Sequence, residues 1–121
     1  MKKLTDKEEQ IMRSIWQQES ACIREIMIQL PAPRPHYNSV ATIVKVLVRK
    51  GFLSSQLVGN THLYRPIIDF ETYREEALMD VQQKYFEDSL PKMLAHFAKS
   101  EKLSVQDKEA LIAIIQSSDH E

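Results

Sequence analysis

Asn38, Thr42, Lys45 and Arg49 recur at i, i+4, i+7 and i+11, the spacing of one helical face. Ser39 and Ala41 stand beside the start of that face, and Lys50 follows its end. The set offers hydrogen bonds and positive charge rather than a nucleophile paired with a base. Short hydrogen-bonding side chains near a helix N-terminus suit the base edges of a DNA major groove, and cations further along suit phosphate. A second polar cluster, Asn60, Thr61 and His62, lies just beyond Gly59, where a tight turn would carry it to a hairpin tip. The expected ligand is double-stranded DNA. The expected contacts are Asn38, Ser39, Ala41, Thr42, Lys45, Arg49, Lys50, Asn60, Thr61 and His62.

Each of these residues also has a plainer role. Asn38 and Ser39 serve equally well as helix caps. Lys45 and Arg49 fit an ordinary solvated face, and Asn60, Thr61 and His62 are good turn formers. The four histidines are scattered, with no spacing that suggests zinc. The single cysteine, Cys22, suits a small buried hydrophobe as well as a redox-sensing thiol. No metal, cofactor or catalytic group is expected. With only two glycines, both at turn positions, there is no phosphate-cradling loop.

The reading face needs a helix from Asn38 to about Lys50. Val40, Ile43, Val44 and Leu47 supply its buried stripe at i, i+3, i+4 and i+7. Six β-branched residues between Val40 and Val48 would also permit a strand. A strand would place Lys45 and Arg49 on the face of Ile43 and Leu47, and the Lys50-Gly51 stop is a helix terminus. Two strand-like runs follow, Phe52–Val58 and His62–Ile67, joined by Gly59-Asn60-Thr61. Helix plus hairpin in this order predicts a winged helix-turn-helix.

Upstream, Thr5 and Glu8 form a capping-box pattern before Ile11, Met12, Ile15 and Trp16. Ile23, Ile26, Met27 and Leu30 mark a second helix, and Ser20-Ala21-Cys22 before it would complete the wing sheet as a short strand. The prolines at 31, 33 and 35 end that helix and lengthen the turn before the reading helix.

Downstream, Asp69 caps a long helix carrying Phe70, Tyr73, Ala77, Val81 and Tyr85. Ser89 and Pro91 start another with Leu90, Met93, Leu94 and Phe97 on one face. Ser104 and Asp107 cap the last, with Leu111, Ile112, Ile114 and Ile115. Helices of this size do not readily form an independent core. They fold back on the first half or pair with a second copy. A homodimer through Phe70, Tyr73, Ala77, Val81, Tyr85, Leu90, Met93, Leu94, Phe97, Leu111, Ile112 and Ile115 is the more economical arrangement, because one reading helix gains from two half-sites. The expected division is a DNA-binding domain over residues 1–68 and a dimerisation region over residues 69–121.

Charge follows the same division. The net charge is only −1, yet residues 1–68 carry ten Lys/Arg against five Asp/Glu, and residues 69–121 carry six against twelve. One half suits phosphate and the other faces away from it. No run approaches the length of a membrane span, and the N-terminus lacks the apolar run of a signal peptide, so a cytoplasmic protein is expected.

Along its whole length the chain resembles the BlaI/MecI penicillinase-repressor family. The matching residues are Leu4-Thr5-Asp6 with Glu9, Met12 and Ile15-Trp16, then Thr42, Leu47 and Lys50-Gly51. Tyr64-Arg65-Pro66 and Leu103-Ser104 complete the set. The resemblance implies a dimeric bacterial repressor of a β-lactam-resistance or related sensor-regulated operon. Such a repressor binds inverted-repeat operators through an N-terminal winged helix. Its release follows proteolysis after a membrane-bound β-lactam sensor protease is activated.

Three departures stand out. The family's cleaved Asn-Phe pair is His96-Phe97 here, which makes these two residues the candidate cleavage site. The Cys-rich tail of the copper-responsive relatives is absent. The Lys-Thr pair that commonly opens the family's reading helix is Asn38-Ser39. The rival readings are a winged-helix protein-interaction module, which would expose apolar or aromatic residues on the reading face, and a thiol-based redox regulator resting on Cys22.

Overall fold

The computed structural model describes residues 3–118. Its elements run α1 (Asp6–Gln18), α2 (Ile23–Ile28), α3 (Tyr37–Arg49), β1 (Leu53–Val58), β2 (Thr61–Pro66), α4 (Phe70–Tyr85), α5 (Leu90–Lys99) and α6 (Val105–Ser118). They form two compact units, Met1–Glu76 and Ala77–Glu121.

In the first unit, α1 starts where the sequence places it. The Glu8 N–H donates to Thr5 Oγ1 at 3.2 Å, and the Thr5 N–H donates to Glu8 Oε1 at 2.8 Å. Ile11, Met12 and Ile15 then point inward and are almost fully buried. Ile26 and Leu30 cover the end of this core, and the buried Ser14 hydroxyl donates to the Ile26 carbonyl at 3.3 Å. The reading helix begins one residue earlier than expected, at Tyr37, with His36 as its N-cap. Val40, Val44 and Leu47 are fully buried and Ile43 is half-buried, so the apolar stripe outweighs the β-branched bias.

Gly51, at φ +83°, ends α3. Its N–H donates to Val48, and the Phe52 N–H reaches back to Leu47. The left-handed conformation there costs a side chain but not glycine. Phe52 and Leu53 turn into the core immediately after it. β1 and β2 pair antiparallel, with Ser55 opposite Tyr64 and Leu57 opposite His62, and Gly59 at φ +63° makes the tip. The expected strand at residues 20–22 is a single bridge. Ala21 and Tyr64 exchange N–H···O bonds of 3.0 and 2.9 Å, so the hairpin gains a one-residue third member.

The first unit extends to Glu76, past the division expected after residue 68. The reason is aromatic packing. Phe70 and Tyr73 lie 5.2 and 5.6 Å from the Trp16 ring, and Tyr73 also meets Phe52 edge-on at 6.1 Å. The Trp16 indole donates to the Ile68 carbonyl at 3.0 Å, which fixes the entry to α4. Asp69 caps that helix by accepting from the Thr72 N–H at 2.8 Å. Burial pushes the Tyr73 phenol above its usual range, against a backbone hydrogen bond at Leu4 that pulls it down.

The second unit is helical and thinly packed. Ser89 caps α5 and Ser104 caps α6 through side-chain bonds to Lys92 and Asp107. Met93 is buried and Leu111 half-buried. Leu78, Val81, Tyr85, Leu90, Leu94, Phe97, Val105, Ile112, Ile114 and Ile115 remain exposed, Tyr85 by 73%. No helix among the described residues is long and apolar enough to cross a membrane.

Candidate nucleic-acid interface

With Val40, Val44 and Leu47 turned inward, the opposite side of α3 must face solvent. Asn38, Ser39, Thr42, Lys45 and Arg49 are all exposed there, and Ala41 is half-buried at the edge. Thr42 Oγ1 donates to the Asn38 carbonyl at 2.9 Å. The hydroxyl proton is thereby satisfied within the helix, which leaves the Thr42 methyl and an oxygen acceptor for an outside group. The first turn of α3 contains no acidic residue, so nothing there opposes an incoming anion.

The hairpin lies alongside this face. Thr42, Lys45, Val48 and Arg49 from α3, with Ser55, His62 and Tyr64 from the strands, line a groove of about 540 Å³. Ser55 Oγ lies 3.3 Å from His62 Nδ1, and the His62 ring stacks on Tyr64 with centroids 6.4 Å apart. Tyr64 is buried, and burial first, then the nearby Tyr37 phenol, push its hydroxyl above the usual range while Ser55 offsets part of the shift. The groove thus brings two cations, an imidazole and several hydroxyls to one place. Such a set binds phosphate oxygens by charge and by donated hydrogen bonds.

Asn60 and Thr61 are exposed at the wing tip, apart from the groove lining. Lys50 is placed differently from Lys45 and Arg49. Its ammonium is held by the Glu8 carboxylate at 2.7 and 2.9 Å, and its side chain is only 23% exposed. Burial raises the Glu8 pKa, but the Lys50 ammonium and the Thr5 hydrogen bonds outweigh it and leave the carboxyl below its usual value.

Sequence reasoning did not pick out Ser55, Tyr64 or Val48 as groove residues. The alternation of the hairpin was visible, but the side it turns toward α3 is a tertiary fact. It also passed over Leu57 and Val58, apolar yet 61% and 50% exposed beside the wing tip.

Of the residues assigned to dimerisation, Phe70 and Tyr73 pack within the first unit on Trp16 and Phe52. Val81, Tyr85, Leu90, Leu94, Phe97, Ile112 and Ile115 stay exposed, as does Ala77. His96 sits in the last turns of α5 and contacts Phe86 and Phe97 at 5.7 Å each. Cys22 is half-buried, and its backbone N–H donates to Glu25 at 2.9 Å.

A family model described as Penicillinase repressor matches residues 4–117. A penicillinase repressor of Bacillus licheniformis is 25% identical over 114 residues, covering 93% of this chain and 89% of that protein.

Proposed function

The chain belongs to the penicillinase repressor family, and from that premise we propose that it represses transcription as a homodimer bound to an inverted-repeat operator. Family members are DNA-binding transcriptional regulators, not enzymes. The winged helix of residues 1–68 would bind DNA in the cytoplasm, and the helices of residues 69–121 would join two copies.

The observation that carries this reading is the alignment of Thr42, Lys45 and Arg49 on the exposed side of α3, opposite the hydroxyls of the wing. Helix residues of this kind read base edges while cations neutralise the flanking phosphates. The stripe of exposed apolar residues on α4, α5 and α6 supports a second copy as its cover. Patches of that kind on a small chain mark association surfaces. Two linked readers on two half-sites bind far more tightly than one.

Release by proteolysis at His96-Phe97, triggered through a membrane-bound sensor protease of a β-lactam-responsive operon, is the finer part of the proposal. Phe97 is 42% exposed in the isolated chain and lies on the stripe with Leu90, Met93 and Leu94. A cut beside it would sever α6 from that stripe and loosen the dimer. The helix must open locally before a protease can take an extended strand from it.

The test is a salt titration. The double variant Lys45→Ala/Arg49→Ala should bind duplex DNA with a log-affinity versus log-salt slope reduced by about 1.8 per bound protomer, about 3.6 for the dimer, from roughly 0.9 per phosphate contact. A slope equal to the wild-type value would remove α3 from the DNA contact.

A further inference from the structure

His62 stands apart from the other groove residues because it is the imidazole among them. An imidazole is the side chain whose unperturbed titration falls between pH 5 and 8. Its Nδ1 faces Ser55 Oγ at 3.3 Å, and the cross-strand register puts both residues on the hairpin face that lines the groove. Stacking on Tyr64 further fixes the ring. Its Nε2 has no protein partner among the described residues.

We propose that Ser55 and His62 form a proton-linked phosphate contact, so that seating a DNA backbone phosphate in the groove between α3 and the wing takes up a proton at His62. The inference rests on the DNA-binding reading and adds to it the group that makes binding depend on pH.

The hydrogen bonds explain how one proton on the ring redirects the serine donor as well. In the neutral ring, Ser55 O–H donates to Nδ1 when Nε2 carries the proton. Once Nδ1 is also protonated it donates to Ser55 Oγ instead. The serine hydroxyl, which also has the Tyr64 phenol as a hydrogen-bond partner, can then turn its own proton toward a phosphate oxygen, beside the Nε2–H that donates in either state. The added charge sits where a phosphate lies, and an opposite charge within a few ångströms favours the charged form.

The other charged or titratable groups facing the groove are Lys45 and Arg49 from α3 and Tyr64 from the same strand, with Tyr37 near Tyr64. Lysine and arginine side chains hold their charge, and phenols stay neutral, across pH 6 to 8. No carboxylate is present in the groove lining among the described residues. The imidazole of His62 is the remaining ionisable group of the lining.

The experiment is fluorescence anisotropy of a labelled random-sequence duplex of about 24 base pairs with the full chain, across a salt series at pH 6 and pH 8. A random sequence isolates phosphate contacts. The wild type should bind roughly three- to tenfold tighter at pH 6, with a salt slope steeper by about 0.9 per bound protomer. His62→Gln should abolish both differences, Ser55→Ala should shrink them, and His36→Gln should leave them intact. A pH difference that survives His62→Gln, is lost with His36→Gln, keeps its full size in Ser55→Ala, or is absent from the wild type overturns the proposal. A wild type that binds no duplex at low salt at either pH would instead overturn the DNA-binding reading itself.

Discussion

The Lys50 ammonium lies 2.7 Å from one oxygen of the Glu8 carboxylate and 2.9 Å from the other, joining the C-terminal end of α3 to the first turn of α1. Glu8 is at the same time the N3 member of the capping box with Thr5. One carboxylate therefore fixes where α1 begins and how the end of α3 sits against it. Lys50 follows Arg49 in sequence, yet it is held at the core while Arg49 stays exposed on the groove.

Lys50→Met should therefore act on stability before it acts on DNA. With the Glu8 side chain only 7% exposed, losing its partner should cost about 1–3 kcal/mol, between the surface and buried limits for ion pairs. The pH dependence has a defined sign. The folded Glu8 pKa is lowered, so its stabilisation is present above the unfolded carboxylate value and is lost as pH falls through the folded value. Without Lys50, only the Thr5 hydrogen bonds still oppose the burial that pushes the carboxyl up, and that acid-side loss should shrink. Urea midpoints measured from pH 7 down to pH 3 for both proteins check this.

Thr42→Ala should leave stability nearly unchanged, because the side chain is exposed and its hydrogen bond is internal to the helix. On DNA it should relax preference at one or two base pairs by about 1–3 kcal/mol if the methyl or oxygen meets a base edge. Competition between the preferred duplex and single-base variants reads this directly. Equal losses on preferred and random duplexes would assign Thr42 to the backbone instead.

Tyr73→Ala and Leu94→Asp should separate folding from assembly. Tyr73 packs on Trp16 and Phe52, so its removal should lower the unfolding free energy by roughly 2–4 kcal/mol without first dissociating a dimer. Leu94 is 37% exposed on the apolar stripe of α5. A carboxylate there should leave the first unit folded and shift sedimentation at micromolar concentration to the monomer. A monomeric wild type under the same conditions would contradict the dimer.

Intact-mass mapping of the protein expressed beside its native genomic neighbours, with and without a β-lactam, tests release. The account expects a fragment ending at His96. An uncut chain that still leaves its DNA would show that another signal operates the repressor.

Much of the helical structure was legible because its signals are local. The capping residues Thr5, Asp69, Ser89 and Ser104 each sit where the sequence placed them, since a cap depends on neighbours within one turn. The stripe of Val40, Val44 and Leu47 against the exposed Thr42, Lys45 and Arg49 was equally plain. What escaped was long-range. Phe70 and Tyr73 have the spacing of any apolar helix face, and that spacing is the same whether the partner is another copy or Trp16 of the same chain. Nothing near Lys50 in sequence announces Glu8. Ser55 and Tyr64 became groove residues only when the register of the hairpin and its lean on α3 were known.

Sequencing the duplexes that the full chain retains from a random pool tests the central claim most directly. The account predicts enrichment of a two-fold-symmetric motif with half-site centres about one helical turn apart, weakened at defined positions when Thr42 is replaced by alanine. A retained pool indistinguishable from the input, or a motif with no two-fold symmetry, would contradict a dimeric repressor reading DNA through α3.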